Sequence, residues 1–141
     1  MYKKIFFDAN IILDVFDPKR PSAKESLETY IYILENRIEL FTSCDIITTI
    51  YYVYAKKNKM DVLNKIEDTN KTLTVIDFSN KEITQTCQLM RKNPNYTDLE
   101  DTIQYILAKK EGCELIISND KSFYSEEIPV MSSKEFVKSM V

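Results

Sequence analysis

The chain has no histidine, and Gly112 is its only glycine in 141 residues. Without an imidazole, histidine-based acid–base catalysis and histidine metal ligation are excluded, and a catalytic cysteine would lack its usual partner. One glycine cannot build the loops that cradle phosphates or dinucleotides. The three cysteines, Cys44, Cys87 and Cys113, lie far apart with no C-x-x-C pair. That spacing argues against a zinc knuckle and suggests reduced, buried thiols. No apolar run approaches the roughly 20 residues that span a bilayer. The basic start is too short for a signal peptide and carries Asp8, so the expected location is the cytoplasm. What remains for chemistry is carboxylate, lysine, hydroxyl and amide. Carboxylates with a hard divalent cation are the natural combination.

An apolar share of 44% and a charged share of 29% are those of an ordinary globule, and the length fits one domain over residues 1–141. The net charge of −3 argues against strong unspecific binding to duplex DNA, but not against RNA if the acidity is concentrated in one site.

The opening "KKIFFDANIILDVF" carries the first specific signal. Ile5, Phe6 and Phe7 read as a buried strand and Ile11, Ile12 and Leu13 resume the apolar run, with Asp8 between them. A carboxylate there is costly to desolvate unless something pairs with it or coordinates it. Further strands are expected near 38–42, 73–77, 114–118 and 128–131, with the first at 3–8. Helices are expected near 22–36, 45–58, 60–69, 80–91, 98–111 and 132–139. Ser79 with Glu82 forms a capping box, and Gly112 stops the helix before "ELIIS". The alternation predicts an α/β fold, a mostly parallel sheet of about five strands with helices on both faces.

Ligands of such sheets bind beyond the carboxyl ends of the strands. Asp8 ends the first strand, Asp120 follows the fourth, and Asp98 and Asp101 sit three apart at a helix start. The four are expected to meet around one cleft. Each also has a plainer reading: Asp98 as a helix N-terminal acid, Asp120 as a turn residue.

Taken together, "FFDANIILDVFDPKRPSAKES", "TSCDIITTIYYVYAKK", "YTDLEDTIQYILAKKEGCELIISNDKSF" and "IPVMSSKEF" resemble, in order, the blocks of the PIN domain. More narrowly, they look like toxin-type PIN ribonucleases of bacterial VapBC pairs. The resemblance implies that Asp8, Asp101 and Asp120 hold Mg²⁺ or Mn²⁺ with Asp98 beside them. It also implies supporting roles for Asn10, Ser118 and Asn119, an RNA substrate, a small antitoxin partner and a homodimer. One departure stands out: Thr49 occupies the position where the family usually has an acid. Asp45, four residues earlier, either reaches the site or caps its helix. Ser122 stands where a further aspartate is common. Tyr51, Tyr52 and Tyr54 read as core and interface, and Lys56, Lys57 and Lys59 as a solvated helix end. The alternative is a weakened PIN domain that binds RNA or a protein without cutting. A phosphatase-like or response-regulator-like α/β protein ranks well below, since no strand-end lysine followed by proline stands near the right place.

Overall fold

The computed structural model describes residues 1–140. Five strands, β1 (Lys4–Phe7), β2 (Glu39–Ser43), β3 (Thr74–Ile76), β4 (Leu115–Ile117) and β5 (Val130–Met131), form one sheet in the order β3-β2-β1-β4-β5. Every pairing is parallel, so the expected "mostly parallel" sheet has no antiparallel member. The central strands are apolar on both faces: Ile5, Phe6, Phe7, Leu115, Ile116 and Ile117 are all buried. Helices covering both faces demand this composition.

The helices are α1 (Ala9–Phe16), α2 (Ala23–Glu35), α3 (Cys44–Tyr54), α4 (Lys59–Thr72), α5 (Asn80–Lys92), α6 (Leu99–Lys110) and α7 (Ser133–Ser139). Right-handed crossovers place the helices leading from β1 through β2 to β3 on one face, and α5 and α6, which lead back to β4, on the other. The chain therefore reverses direction across the sheet between β1 and β4. That reversal opens a crevice at their carboxyl ends.

One element departs from expectation. The residues after Asp8, where no helix was expected, form α1, with Asp8 as its N-cap at φ −72° and ψ 161°. Two predicted ends agree with the structure. Ser79 and Glu82 form a capping box at α5, and Gly112 leaves α6 at φ +75° with nothing within 4 Å of where a Cβ would stand. Since the site has room, Gly112→Ala carries only the left-handed backbone strain of about 1 kcal/mol. It should lower the melting temperature by roughly 3–4 °C. A drop above 10 °C, read by circular dichroism, would mean that something other than φ selects glycine there.

Of the cysteines only Cys113 is buried, and burial pushes its thiol up to about 12. Cys44 and Cys87 are half-buried, so the expectation of three buried thiols holds for one. Among the described residues no helix is long and apolar enough to cross a membrane.

Candidate active site

Asp8 leaves β1 at the crevice, tied to the neighbouring strand by its backbone N–H, which donates to the Ile117 carbonyl at 3.1 Å. Its buried carboxylate is held at both oxygens. Oδ1 accepts from the Ala9 N–H at 2.7 Å, capping α1. Oδ2 accepts from the Ser118 hydroxyl at 2.7 Å and from Asn10 Nδ2 at 3.0 Å. A buried carboxylate this well supplied with donors needs no cation to be tolerated. Burial still dominates and raises its pKa, the nearby Asp120 adds to the rise, and the bonds from Ser118, Ala9 and Asn10 oppose it.

Asn119 links this corner to the rest of the fold. Its backbone N–H donates to Asn10 Oδ1 at 2.9 Å, and its Nδ2 donates to Asp14 Oδ2 at 3.0 Å. Its Oδ1 accepts from the Ser133 N–H at 2.9 Å, the first residue of α7. Asp14 is buried and also takes the Ser26 hydroxyl at 2.7 Å and Arg20 Nε at 2.6 Å. Arg20, Asn10, Ser22, Asn119 and Asp120 line a cleft of about 300 Å³.

Asp120 is exposed, and its Oδ1 accepts from both the N–H and the hydroxyl of Ser122, at 2.9 and 2.7 Å. Ser122 therefore fixes Asp120 rather than adding a charge of its own. Asp98 is the N-cap of α6, its Oδ1 accepting from the Asp101 N–H at 2.9 Å. The plain reading of Asp98 as a helix N-terminal acid describes its bonding, while its charge still acts on Asp101.

Asp101 is the most perturbed acid, pushed up to about 7. Desolvation is the main cause, followed by the charges of Asp8, Asp98, Asp120 and Glu100. The four predicted acids thus share one electrostatic neighbourhood, and Glu100 joins them. Its pKa is raised by desolvation first and then by Asp45, Asp8 and Asp98. Glu100 was missed in the sequence because it sits between two acids already chosen.

Asp45 does not cap its helix. Ser43 is the N-cap of α3, the Ser43 hydroxyl donates to Asp45 Oδ1, and the charge of Asp45 reaches Glu100. Thr49 is half-buried and donates back to the Asp45 carbonyl at 3.3 Å, a bond within its own helix.

Oxygen donors that raise one another's pKa fit a hard cation, which would relieve the repulsion. Yet among the described residues no three Asp, Glu or Cys side chains are set around one point closely enough to hold an ion as they stand. The acids are gathered, and a chelate would need side-chain closure.

The sequence of the PIN domain matches residues 4–122, from β1 to the residue that fixes Asp120. Ribonuclease VapC1 of Aquifex aeolicus (strain VF5) is 46% identical over 134 residues, 95% of this chain and 93% of that protein. Among solved structures, DNA-bound VapBC from Salmonella typhimurium matches with a TM-score of 0.69 at 15% identity, over 92% of this chain and 98% of that one. VapC20 of Mycobacterium tuberculosis, a sarcin–ricin loop cleaving toxin, matches at 0.67 with 10% identity, over 84% and 92%. Those two likenesses speak for the fold, the Aquifex one for kinship. A parallel sheet whose crevice gathers aspartates from β1, β4 and α6, read with these matches, places the chain in the PIN domain family as a VapC-like member.

Proposed function

We propose that the protein is a Mg²⁺- or Mn²⁺-dependent endoribonuclease, the toxin of a type II pair, neutralised by a small antitoxin. The observation that carries this reading is the mutual repulsion of Asp8, Asp101 and Asp120, with Asp101 raised to about 7 by desolvation first and then by the charges of its neighbours. Kinship to a protein named a ribonuclease supports the chemistry, and likeness to VapBC complexes supports the partner.

In this reading Asp8, Asp101 and Asp120 hold the cation, which would activate water and polarise the scissile phosphate. Ser118 and Asn10 keep the Asp8 carboxylate in one orientation, and Ser122 does so for Asp120. Asn119 fixes the turn that carries Asp120 by bonding to α1 and α7. Arg20, held by Asp14, lines a cleft beside Asp120 and is placed to meet the phosphodiester backbone there. Two surfaces remain open for protein partners. Leu27, Ile31 and Leu34 are exposed at helical spacing on α2, and Tyr52, Val53 and Met60 are exposed around the α3–α4 turn. The antitoxin and a second copy of the chain would cover such surfaces. A cytoplasmic location follows from the same reading.

A second reading, a PIN domain that binds RNA or a protein without cutting, is favoured by the absence of a preset three-acid chelate among the described residues. Thr49 separates the two. Its hydroxyl is spent on its own helix, one turn from Asp45. Thr49→Glu adds a carboxylate on that face and should raise Mn²⁺-dependent RNA cleavage about tenfold, the scale of changes around metal ligands. If Asp45 already serves, Asp45→Asn lowers cleavage and Thr49→Glu adds little. No cleavage by wild type or Thr49→Glu, at any Mg²⁺ or Mn²⁺ concentration tried, would establish the non-cutting reading.

A further inference from the structure

A groove of about 840 Å³ runs between α5 and α6, and none of the crevice aspartates lines it. Lys81 and Lys92 stand on its α5 wall, Lys109 and Lys110 on its α6 wall. The charges of Lys110 and Lys81 both act on Glu82, which sets the end of α6 beside the start of α5. The three acids of the groove are already engaged. Glu82 closes its capping box by accepting from the Ser79 N–H at 2.9 Å, Glu126 accepts from Asn93 Nδ2 at 3.3 Å, and Glu127 pairs with Lys109 at 2.8 Å. Lys81, Lys92 and Lys110 are exposed and form no ion pair among the described residues. Scattered lysines on exposed helices are ordinary solvated charges. These three instead converge on one concavity, in a chain whose net charge is −3, and that arrangement suits an anionic ligand. The exposed amides of Gln85 and Gln88 line the same groove and add neutral donors.

Helix α6 ties this groove to the acids, since it carries Asp101 in its first turn and Lys109 and Lys110 in its last. The rise from Asp101 to Lys109 is about 12 Å. At about 3.4 Å of strand or more per phosphate, that is the reach of roughly two to four nucleotides. Tyr105, in the groove wall, packs on Tyr96 with ring centroids 5.2 Å apart, and Tyr96 packs on Tyr124 at 4.7 Å. Tyr96 and Tyr124 in turn line the hollow that holds Asp98 and Asp101. One aromatic layer thus links groove and acids.

We propose that the α5–α6 groove is an RNA-binding subsite, in which Lys81, Lys92 and Lys110 hold the phosphodiester strand a few nucleotides from the scissile bond. This rests on the ribonuclease reading above and deepens it. An ammonium meets a phosphate as a point charge, so the groove adds affinity and register but no preference among bases. An acidic protein segment would answer to the same charge. Protein segments dock through apolar anchors, however, and none of the exposed large apolar side chains among the described residues lines the groove.

Binding of the intact chain to a short, fluorescently labelled single-stranded RNA in EDTA, read by anisotropy across a salt series, tests this. Lys81→Gln, Lys92→Gln and Lys110→Gln combined remove the unpaired charges of the groove. Lys56→Gln, Lys57→Gln and Lys59→Gln combined remove the same charge from the α3–α4 turn. The groove variant should flatten the slope of log affinity against log salt by about 2, at about 0.7 per phosphate contact, and so bind roughly 100-fold more weakly at about 0.1 M salt. The α3–α4 variant should stay within about threefold of wild type, since exposed charges beyond about 10 Å are screened at that salt. Both should melt as wild type does, because all six lysines are exposed. Equal weakening in the two variants, or a wild type that does not bind RNA at low salt, overturns the proposal. So does a groove variant that keeps RNA but loses a labelled glutamate peptide bound by wild type, which assigns the groove to an acidic protein segment. Cleavage with Mn²⁺, run in parallel, separates the groove from the nuclease. A wild type that holds RNA through the groove without cutting keeps the groove and removes the nuclease. A wild type that cuts, with a groove variant that binds and cuts equally well, removes the groove and keeps the nuclease.

Discussion

Asp8→Asn is expected to leave the protein folded and to reduce metal-dependent RNA cleavage by roughly 100- to 1000-fold. The cap on α1 survives, because the remaining carbonyl oxygen can still accept from the Ala9 N–H that Asp8 Oδ1 now holds at 2.7 Å. The Ser118 hydroxyl, which donates at 2.7 Å in the wild type, can rotate to accept instead, while the Asn10 Nδ2 bond to the same oxygen at 3.0 Å is lost. The other loss is the charge. Burial already makes that charge costly, so its removal offsets the lost Asn10 bond and keeps the melting temperature near that of wild type. The same charge is the most deeply held of the hard oxygen donors in the crevice. Losing several kcal/mol of transition-state stabilisation, at about 1.4 kcal/mol per tenfold, sets the size of the effect. Cleavage within threefold of wild type by a folded Asp8→Asn protein would remove Asp8 from the chemistry.

The second large effect is an inverted dependence of stability on pH. Asp101 titrates near 3.8 when exposed and at about 7 in the folded chain. Across that interval the folded state holds a proton that the unfolded state has released. The unfolded chain therefore binds fewer protons, and stability falls as pH rises from about 4 to about 7. Acids with lowered pKa act with the opposite sign. Glu82, Glu114 and Glu135, held low by backbone N–H donors, contribute stability that is lost only as pH falls below their ordinary value of 4.5. Between pH 5 and 7.5 the raised acids dominate. Asp101 is partly exposed, so solvent screening limits the change to roughly 1–2 kcal/mol, a few degrees in melting temperature. Mg²⁺ or Mn²⁺ at tens of millimolar should flatten the slope by neutralising the cluster, and Asp101→Asn should flatten it without metal. A melting temperature that rises steadily over this interval, with or without EDTA, would show that the acids do not repel one another as described.

The residues proposed to bear the chemistry stand out in the sequence because each lies at a point where backbone pattern changes. Asp8 interrupts an apolar run, Asp120 follows "LIIS", and Asp98 and Asp101 open a helix. Helix α1 was not legible in the same way. Asp8-Ala9-Asn10 reads as a break, whereas Asp8 is an N-cap and Ile11, Ile12, Val15 and Phe16 already follow helical spacing. Asp14 was passed over because its partners, Ser26 and Asn119, are distant in sequence and meet it only after folding. The direction of the Asp45 carboxylate depends on a competing hydroxyl at Ser43, which no spacing rule reveals.

The strand order carries a consequence for synthesis. β1 is made first but lies in the middle of the sheet, and one of its two neighbours, β4, is among the last segments to be translated. The bond from Ser118 to Asp8 joins residues 110 positions apart, and Asn119 waits for Ser133 beyond it. Parallel pairings of such separation form late, after local helices and nearer strands. On the ribosome, where chains emerge at about 5–20 residues per second, the crevice cannot assemble until the chain through Ser133 is out. If the chain is a toxin, its cutting edge comes into being only after α7 has begun to emerge, which gives the cell the time of that synthesis to have an antitoxin waiting.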